Sequence, residues 1–320
     1  MLTNIKKTFS PLPSLLKEAQ AGTQMKHNIF VVCLLAVVIA IAGLFAEFLG
    51  ITVYIFVKMF IRGFMAARNG TEMSMSVDMT SFDILLVQLF VTGLATIVMM
   101  LYVRFAEQRP LRTMGFVRKH AVRDYLLGMV VAFGLFAACV GLCMATGAMT
   151  FGAYTLNGRY LSLALLFVAF LIQGMSEETV CRGFMMTSLG SRCGAVFGVL
   201  FNSLFFGALH LLNSGIAPLP IINLVLFGLF MSCLVLKQHS IWMACAIHAM
   251  WNFVQGNFFG ILVSGNRMGA SVFRFDSVPG MSLFNGGSFG MEGGIATTLV
   301  LTLATVVVLL LPPRQSEEKE

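Results

Sequence analysis

Apolar residues in this chain run in long blocks, and polar residues collect in the gaps between them. A helix needs about 20 mostly apolar residues to cross the hydrocarbon core of a bilayer. That ruler predicts eight spans. The first is Ile29–Leu49, with room to continue past Tyr54, followed by Ile84–Val103, Tyr125–Thr146 and Tyr160–Phe184. Then come Ala195–Leu212, Leu219–Leu236, Ile241–Phe259 and Ile295–Leu311, the last stopped by Pro312-Pro313. The predicted fold class is therefore all-α, a polytopic membrane helical bundle of about eight transmembrane helices. The organisation expected is a cytoplasmic tail 1–28, helices one to three over 29–158 and a core of helices four to seven over 159–262. A Gly-rich loop 263–294, a last helix 295–311 and a C-terminal tail 312–320 complete it. The loop holds Phe284-Asn285-Gly286-Gly287-Ser288-Phe289-Gly290-Met291-Glu292-Gly293-Gly294 and reads as a flexible cap, a re-entrant loop or a plain linker.

Composition strengthens the membrane reading. Hydrophobic residues make up 58% of the 320 and charged residues 11%, against about 25% charged in ordinary soluble proteins. Mean hydropathy is +0.88. A water-soluble fold has too much surface to cover with so few charges. With 8 Pro and 7 scattered Cys, disorder, collagen and disulfide scaffolds are excluded. Cys139 and Cys143 lie one helical turn apart, but no CxxC accompanies them, so packing is the better reading.

The net charge of +7 is largely a topology signal. With the N-terminus inside, the cytoplasmic segments hold Lys6, Lys7, Lys17, Lys26, Arg104, Arg109, Arg112, Arg118, Lys119, Arg123, Arg192, Lys237, Arg314 and Lys319. The other side holds Lys58, Arg62, Arg68, Arg159, Arg267 and Arg274. Both termini are therefore expected in the cytoplasm, with the basic loop Arg104 to Arg123 against anionic lipid heads. Nothing in this charge calls for nucleic acid as a partner. The first span lacks a small-x-small cleavage site and reads as an uncleaved anchor.

Ionisable groups inside spans cost about 3 kcal/mol each on insertion scales, so they point to function. Span four carries Gln173-Gly174-Met175-Ser176-Glu177-Glu178-Thr179-Val180-Cys181-Arg182. Residues four apart share a helix face, so Glu178 and Arg182 pair, whereas Glu177 points about 100° away and stays available. Span five carries His210, and span seven carries His248 and Asn252, again four apart. Each of these features alone has a packing explanation; one unpaired Glu, two His and one Asn on three apolar helices together do not. Glu47 reads as a cap or snorkelling group near the end of span one. Gln88, Gln173, Asn202, Asn223 and Gln255 read as interhelical amides, and His27, His120 and His239 as solvated.

Hydrolysis of a peptide needs an activated water and donors for the oxyanion. Glu177 suits the base, His210 suits a partner for the same water, and His248 with Asn252 suits the oxyanion. Glu177, His210 and His248 also match, by type, the ligands of a divalent metal, zinc foremost. No HExxH pair is present, so the zincin arrangement is absent and both chemistries stay open.

The order Glu177-Glu178-x-x-x-Arg182, Phe206-x-x-x-His210, His248-x-x-x-Asn252 resembles the CAAX-protease and bacteriocin-processing (CPBP, or Abi) intramembrane proteases. Its best-known members are the type II CAAX prenyl endopeptidases. The resemblance covers about Tyr160 to Phe259. It implies a cytoplasm-facing cavity opening laterally to lipid. In it Glu177 and His210 would activate water, His248 and Asn252 would form the oxyanion hole, and Glu178 and Arg182 would support the site. It implies cleavage near the C-terminus of a membrane-associated protein or peptide, prenylated in the eukaryotic enzymes and without an evident prenyl group in many bacterial relatives. Members are described both as metalloproteases and as metal-independent glutamate proteases. A non-enzymatic immunity or scaffold protein of the same fold is the alternative, and an ion-coupled transporter a third. A simple alternating topology places His210 toward the far end of span five, away from Glu177 and His248.

Overall fold

The structure is a computed structural model and describes residues 8–23, 28–72 and 76–314. Lys6, Lys7, Lys26, His27 and Lys319 lie outside the described residues. A short helix α1 (Ser14–Gly22) precedes the long α2 (Ile29–Asn69). Asn28 starts α2 by accepting the Val31 N–H at 3.0 Å, and Gly70, at φ 65°, ends it in a left-handed turn. No Gly-Pro break or strong turn signal intervenes. At 1.5 Å per residue, α2 is about 60 Å long, twice a bilayer core.

Next come α3 (Phe82–Val91) and α4 (Gly93–Leu101), continuous with a π-helical turn at Tyr102–Ala106, then α5 (Ala121–Ala145). The fourth span is α6 (Tyr160–Glu178), which passes through a π-helical stretch at Thr179–Met186 into α7 (Thr187–Cys193). Helices α8 (Ala195–Ala208), α9 (Pro218–Gln238) and α10 (Trp242–Phe253, followed by π-helical Val254–Phe258) complete the core, and α12 (Ile295–Leu310) is the last. Each predicted span therefore has a helix. Five segments are long and apolar enough to cross a membrane: Ile29–Asn69, Phe82–Ala106, Ala121–Ala145, Tyr160–Cys193 and Pro218–Gln238. The chain is an integral membrane protein, mostly helical, with five such helices among the described residues rather than a settled eight.

Three expectations change. The first helix runs well beyond Tyr54, so Glu47 sits at its middle and not near its end. The fold is not purely α: β1 (Met149–Tyr154) pairs antiparallel with β2 (Phe273–Ser277), Phe151 opposite Phe275, with a bulge at Gly152. The 263–294 segment is accordingly no plain linker. It supplies β2, the short helix α11 (Ser282–Asn285) and a 3-10 turn at Met291–Gly293, and it buries Phe289 and Met291.

One end of the bundle gathers much of the basic character. Arg109 and Arg192 both reach Glu107, Arg192 also donates to Thr23, and Arg314 pairs with Asp124 at 2.6 Å. Burial pushes the Arg109 guanidinium below its ordinary pKa, opposed by the adjacent Glu107. His239, expected to be solvated, instead bonds Ser14 at 2.6 Å and Glu18 at 3.0 Å, tying α1 to the end of α9. His120 is exposed, as is Gln88, which therefore does not serve as an interhelical amide. All seven cysteines are free.

Two glycines set the position of α10. A Cβ on Gly174 of α6 would lie 2.5 Å from the Ala249 backbone nitrogen, and one on Gly128 of α5 would lie 2.7 Å from the Met243 carbonyl. Backbone-to-backbone approach through small residues is how helices pack closely in lipid. Helix α10 is wedged between its neighbours on this account, with His248 and Asn252 turned to a fixed depth. Gly174→Leu should therefore destabilise the protein by about 2 kcal/mol or more, the upper part of the overpacking range. A fall in the thermal inactivation temperature in detergent reports it; an unchanged value would mean that α6 and α10 are not in contact.

Candidate active site

Glu177 and Glu178 occupy the C-terminal end of α6, where the helix loosens into π-helical geometry, a device common beside functional sites. The helix-face sorting holds. Glu178 is fully buried and accepts from Arg182 at 2.7 Å. The Arg182 guanidinium also stacks over the Phe206 ring at 4.8 Å. Arg192 pairs with Glu107 instead, so neither acid of span four anchors it.

Glu178 has a second partner: His248 Nδ1, at 2.8 Å. With Nδ1 held there, His248 turns Nε2 toward Glu177, 3.6 Å from Oε2. Phe206 and Phe227 pack edge-on against the imidazole, with centroids at 5.7 and 5.3 Å, and leave the ring little freedom to rotate. The chain Arg182–Glu178–His248 thus orients one imidazole from two helices.

Glu177 is the more open acid, its side chain 25% exposed. Its Oε1 accepts a hydrogen bond from Gln173 Nε2, one turn earlier, while Oε2 has no hydrogen-bond partner. Gln173 Oε1 in turn accepts from Asn252 Nδ2 at 3.0 Å. Gln173 is an interhelical amide as its type implied, but its place is in the site, joining Glu177 to Asn252. Its spacing of four residues from Glu177, the same that pairs Glu178 with Arg182, is the signal that could have marked it in the sequence.

His210 is brought in by the early end of α8. The helix stops at Ala208, and the turn that follows swings the imidazole back, with Nδ1 2.9 Å from the Phe206 carbonyl. That bond makes Nδ1 the protonated nitrogen and leaves Nε2 an acceptor. His210 lines the same cavity as Glu177 and His248, although a straight span five was expected to hold it apart from them.

Glu177, His210, His248 and Asn252 line one cavity of about 190 Å³. Its other walls include Leu89, Phe170, Phe227, Trp251 and Leu301, and the Gly-rich segment closes it with Val263, Ser264, Met268 and Glu292. Glu177 and His210 also face a second cavity of about 250 Å³, on whose far side stand Leu44 and Glu47 of α2. A carboxylate and an imidazole acceptor on a shared wall, with an imidazole and an amide beside them, are a set able to activate water and bind an oxyanion. A metal fits less well. Among the described residues no three His, Cys, Asp or Glu side chains form a group able to hold an ion. Glu177 and His248 approach each other, but His210 does not close a ligand set with them.

Residues 159–254 match a protein-family model described as Rce1-like, type II CAAX prenyl endopeptidase Rce1-like. Across that segment the chain is similar to this family. The match spans α6 to α10 and contains all six residues singled out in the sequence, in agreement with the CAAX-protease resemblance. No curated protein and no solved structure matches the chain. The Rce1-like segment stops short of the Gly-rich cap, so Ser264 and Glu292 lie outside it.

Proposed function

We propose that this protein is an intramembrane endopeptidase that hydrolyses a peptide bond near the C-terminus of a membrane-associated protein or peptide. The observation that carries the reading is the convergence of Glu177, His210, His248 and Asn252 on one cavity inside a bundle of apolar helices. The Glu177 carboxylate takes a proton from a water that His210 Nε2 also accepts from. The oxygen of that water attacks the scissile carbonyl. His248, as the imidazolium held between the Glu178 and Glu177 carboxylates, donates through Nε2 to the oxyanion that forms, beside Asn252 Nδ2, a contribution worth about 10²–10³ in rate per donor in other hydrolases. Glu178 and Arg182 hold His248 in register, and Gln173 holds Glu177 beside Asn252. No step runs through a metal. The aromatic and aliphatic walls suit an apolar residue or a lipid-modified one, reaching the cavity from the bilayer.

The catalytic core in this reading is 159–262, covered by 263–294. The protein lies in the plasma membrane of a bacterial cell with both termini in the cytoplasm. The test is cleavage by purified protein in proteoliposomes, with a farnesylated C-terminal peptide beside its unprenylated twin. Mass spectrometry should find a new C-terminus in one or both, unaffected by prior stripping with a strong chelator. Absence of any cleaved product, with biological activity surviving substitution of all four residues, would favour a scaffold over an enzyme. Activity lost on chelation and restored by zinc would overturn the metal-free step.

A further inference from the structure

Cleaving an amide takes one proton from water and delivers one to the departing nitrogen, because an amide anion is too poor a leaving group. The groups above supply acceptors more readily than an acid. Glu177 is the base, and His210 commits its Nδ1–H to the Phe206 carbonyl, so that in the neutral imidazole Nε2 can only accept. The same cavity contains a second carboxyl, Glu292, on the 3-10 turn of the Gly-rich cap.

Glu292 is held as firmly as the residues of the core. Its Oε2 accepts from the Ser264 N–H at 2.7 Å and from the Ser264 hydroxyl at 3.0 Å. Its backbone carbonyl accepts from Asn223 Nδ2 at 2.7 Å, which pins the turn to α9. Gly290, at φ 100°, gives the chain the sharp approach that lets the next two residues enter the bundle. Glu292 is 8% exposed, and among the described residues no Lys or Arg forms an ion pair with it. Burial pushes its carboxyl above the ordinary range, partly offset by the Ser264 hydrogen bonds, the nearby His210 and a hydrogen bond from Gln255. Two carboxyls facing one cavity in unlike settings are the usual mark of a base and an acid.

We propose that Glu292 is the general acid of the reaction and protonates the leaving amine. The inference rests on the endopeptidase reading. Water oxygen bonds to the carbonyl carbon as the water proton passes to Glu177. The C–N bond then breaks with its electron pair on nitrogen, which takes the carboxyl proton of Glu292. The proton on Glu177 returns to Glu292 by way of His210 Nε2, so both acids are reset and the sum is amide plus water giving acid plus amine.

The deciding experiment compares two substrates: the peptide, and the same sequence with the scissile amide replaced by an activated ester whose alcohol leaves without protonation. Both are given to reconstituted wild type, Glu292→Gln and Glu177→Ala. Glutamine keeps an oxygen for Ser264, and ester turnover reports folding in the same sample. The proposal expects Glu292→Gln to lose about 100-fold or more in kcat on the amide, with KM within about twofold, and to keep ester cleavage within about threefold. Glu177→Ala should lose both. Equal loss of amide and ester cleavage by Glu292→Gln would make Glu292 a strut for the cap and overturn the proposal, as would full amide activity. Wild type that cleaves neither substrate overturns the endopeptidase reading itself, and this assignment with it.

Discussion

Glu177→Gln is expected to lower kcat for peptide cleavage by about a thousandfold, with KM and thermal stability nearly unchanged. Glutamine preserves the contact with Gln173, because its oxygen still accepts from that amide. What it removes is the basic oxygen Oε2, which has no hydrogen-bond partner and stands 3.6 Å from His248 Nε2. General-base contributions are typically 10²–10⁴ in rate, and the adjacent acid of the same helix cannot take over: Glu178 is fully buried and engaged by Arg182 and His248. Glu177→Ala should lose as much, with some further loss from freeing Gln173. Substantial cleavage by either variant would show that another group activates the water.

The second large effect concerns stability. Arg182→Leu should destabilise the protein by about 3–5 kcal/mol, the cost of leaving a buried carboxylate without its cation. Glu178 and Arg182 are both fully buried, and the remaining contact of Glu178 is the His248 imidazole. An exposed pair of the same geometry would be worth only about 0–1 kcal/mol. The thermal inactivation midpoint in detergent separates the two cases. Glu178→Met with Arg182→Leu should recover part of the stability, since no unpaired charge is then buried. Peptide cleavage should stay low in that double variant, because His248 Nδ1 has lost its acceptor. Recovery of both together would mean that Glu178 does not orient His248.

Much of the site was legible because helical spacing is rigid. Four-residue separations placed Glu178 with Arg182 and put His248 and Asn252 on one cavity-facing side of α10, and the leftover angle kept Glu177 clear of Arg182. His210 was identifiable by type but not by depth, since nothing in the run through Leu212 announces that α8 stops at Ala208. Gln173 was half legible: its four-residue spacing puts it on the face of Glu177, while its contact with Asn252 of another helix has no local signal.

The misread parts of the fold have similar causes. Lys58, Arg62 and Arg68 made the end of α2 look like a polar flank, yet long basic side chains tolerate a helix that leaves the membrane. The β1–β2 pairing joins segments more than a hundred residues apart, each too short for its alternation to stand out between spans. Glu292 depends on that same long-range folding of the cap, so its place beside the site is a tertiary fact with no local signature.

The central claim is that a water held by Glu177 and His210 is the nucleophile. Single-turnover cleavage by excess wild-type protein in ¹⁸O-labelled water tests it directly, by mass spectrometry of the peptide product and of the protein fragment containing Glu177. Direct attack by that water predicts one ¹⁸O in the new C-terminal carboxyl and none in the protein. An unlabelled product with ¹⁸O in the Glu177 side chain would show that the carboxylate itself had attacked, and would contradict the account.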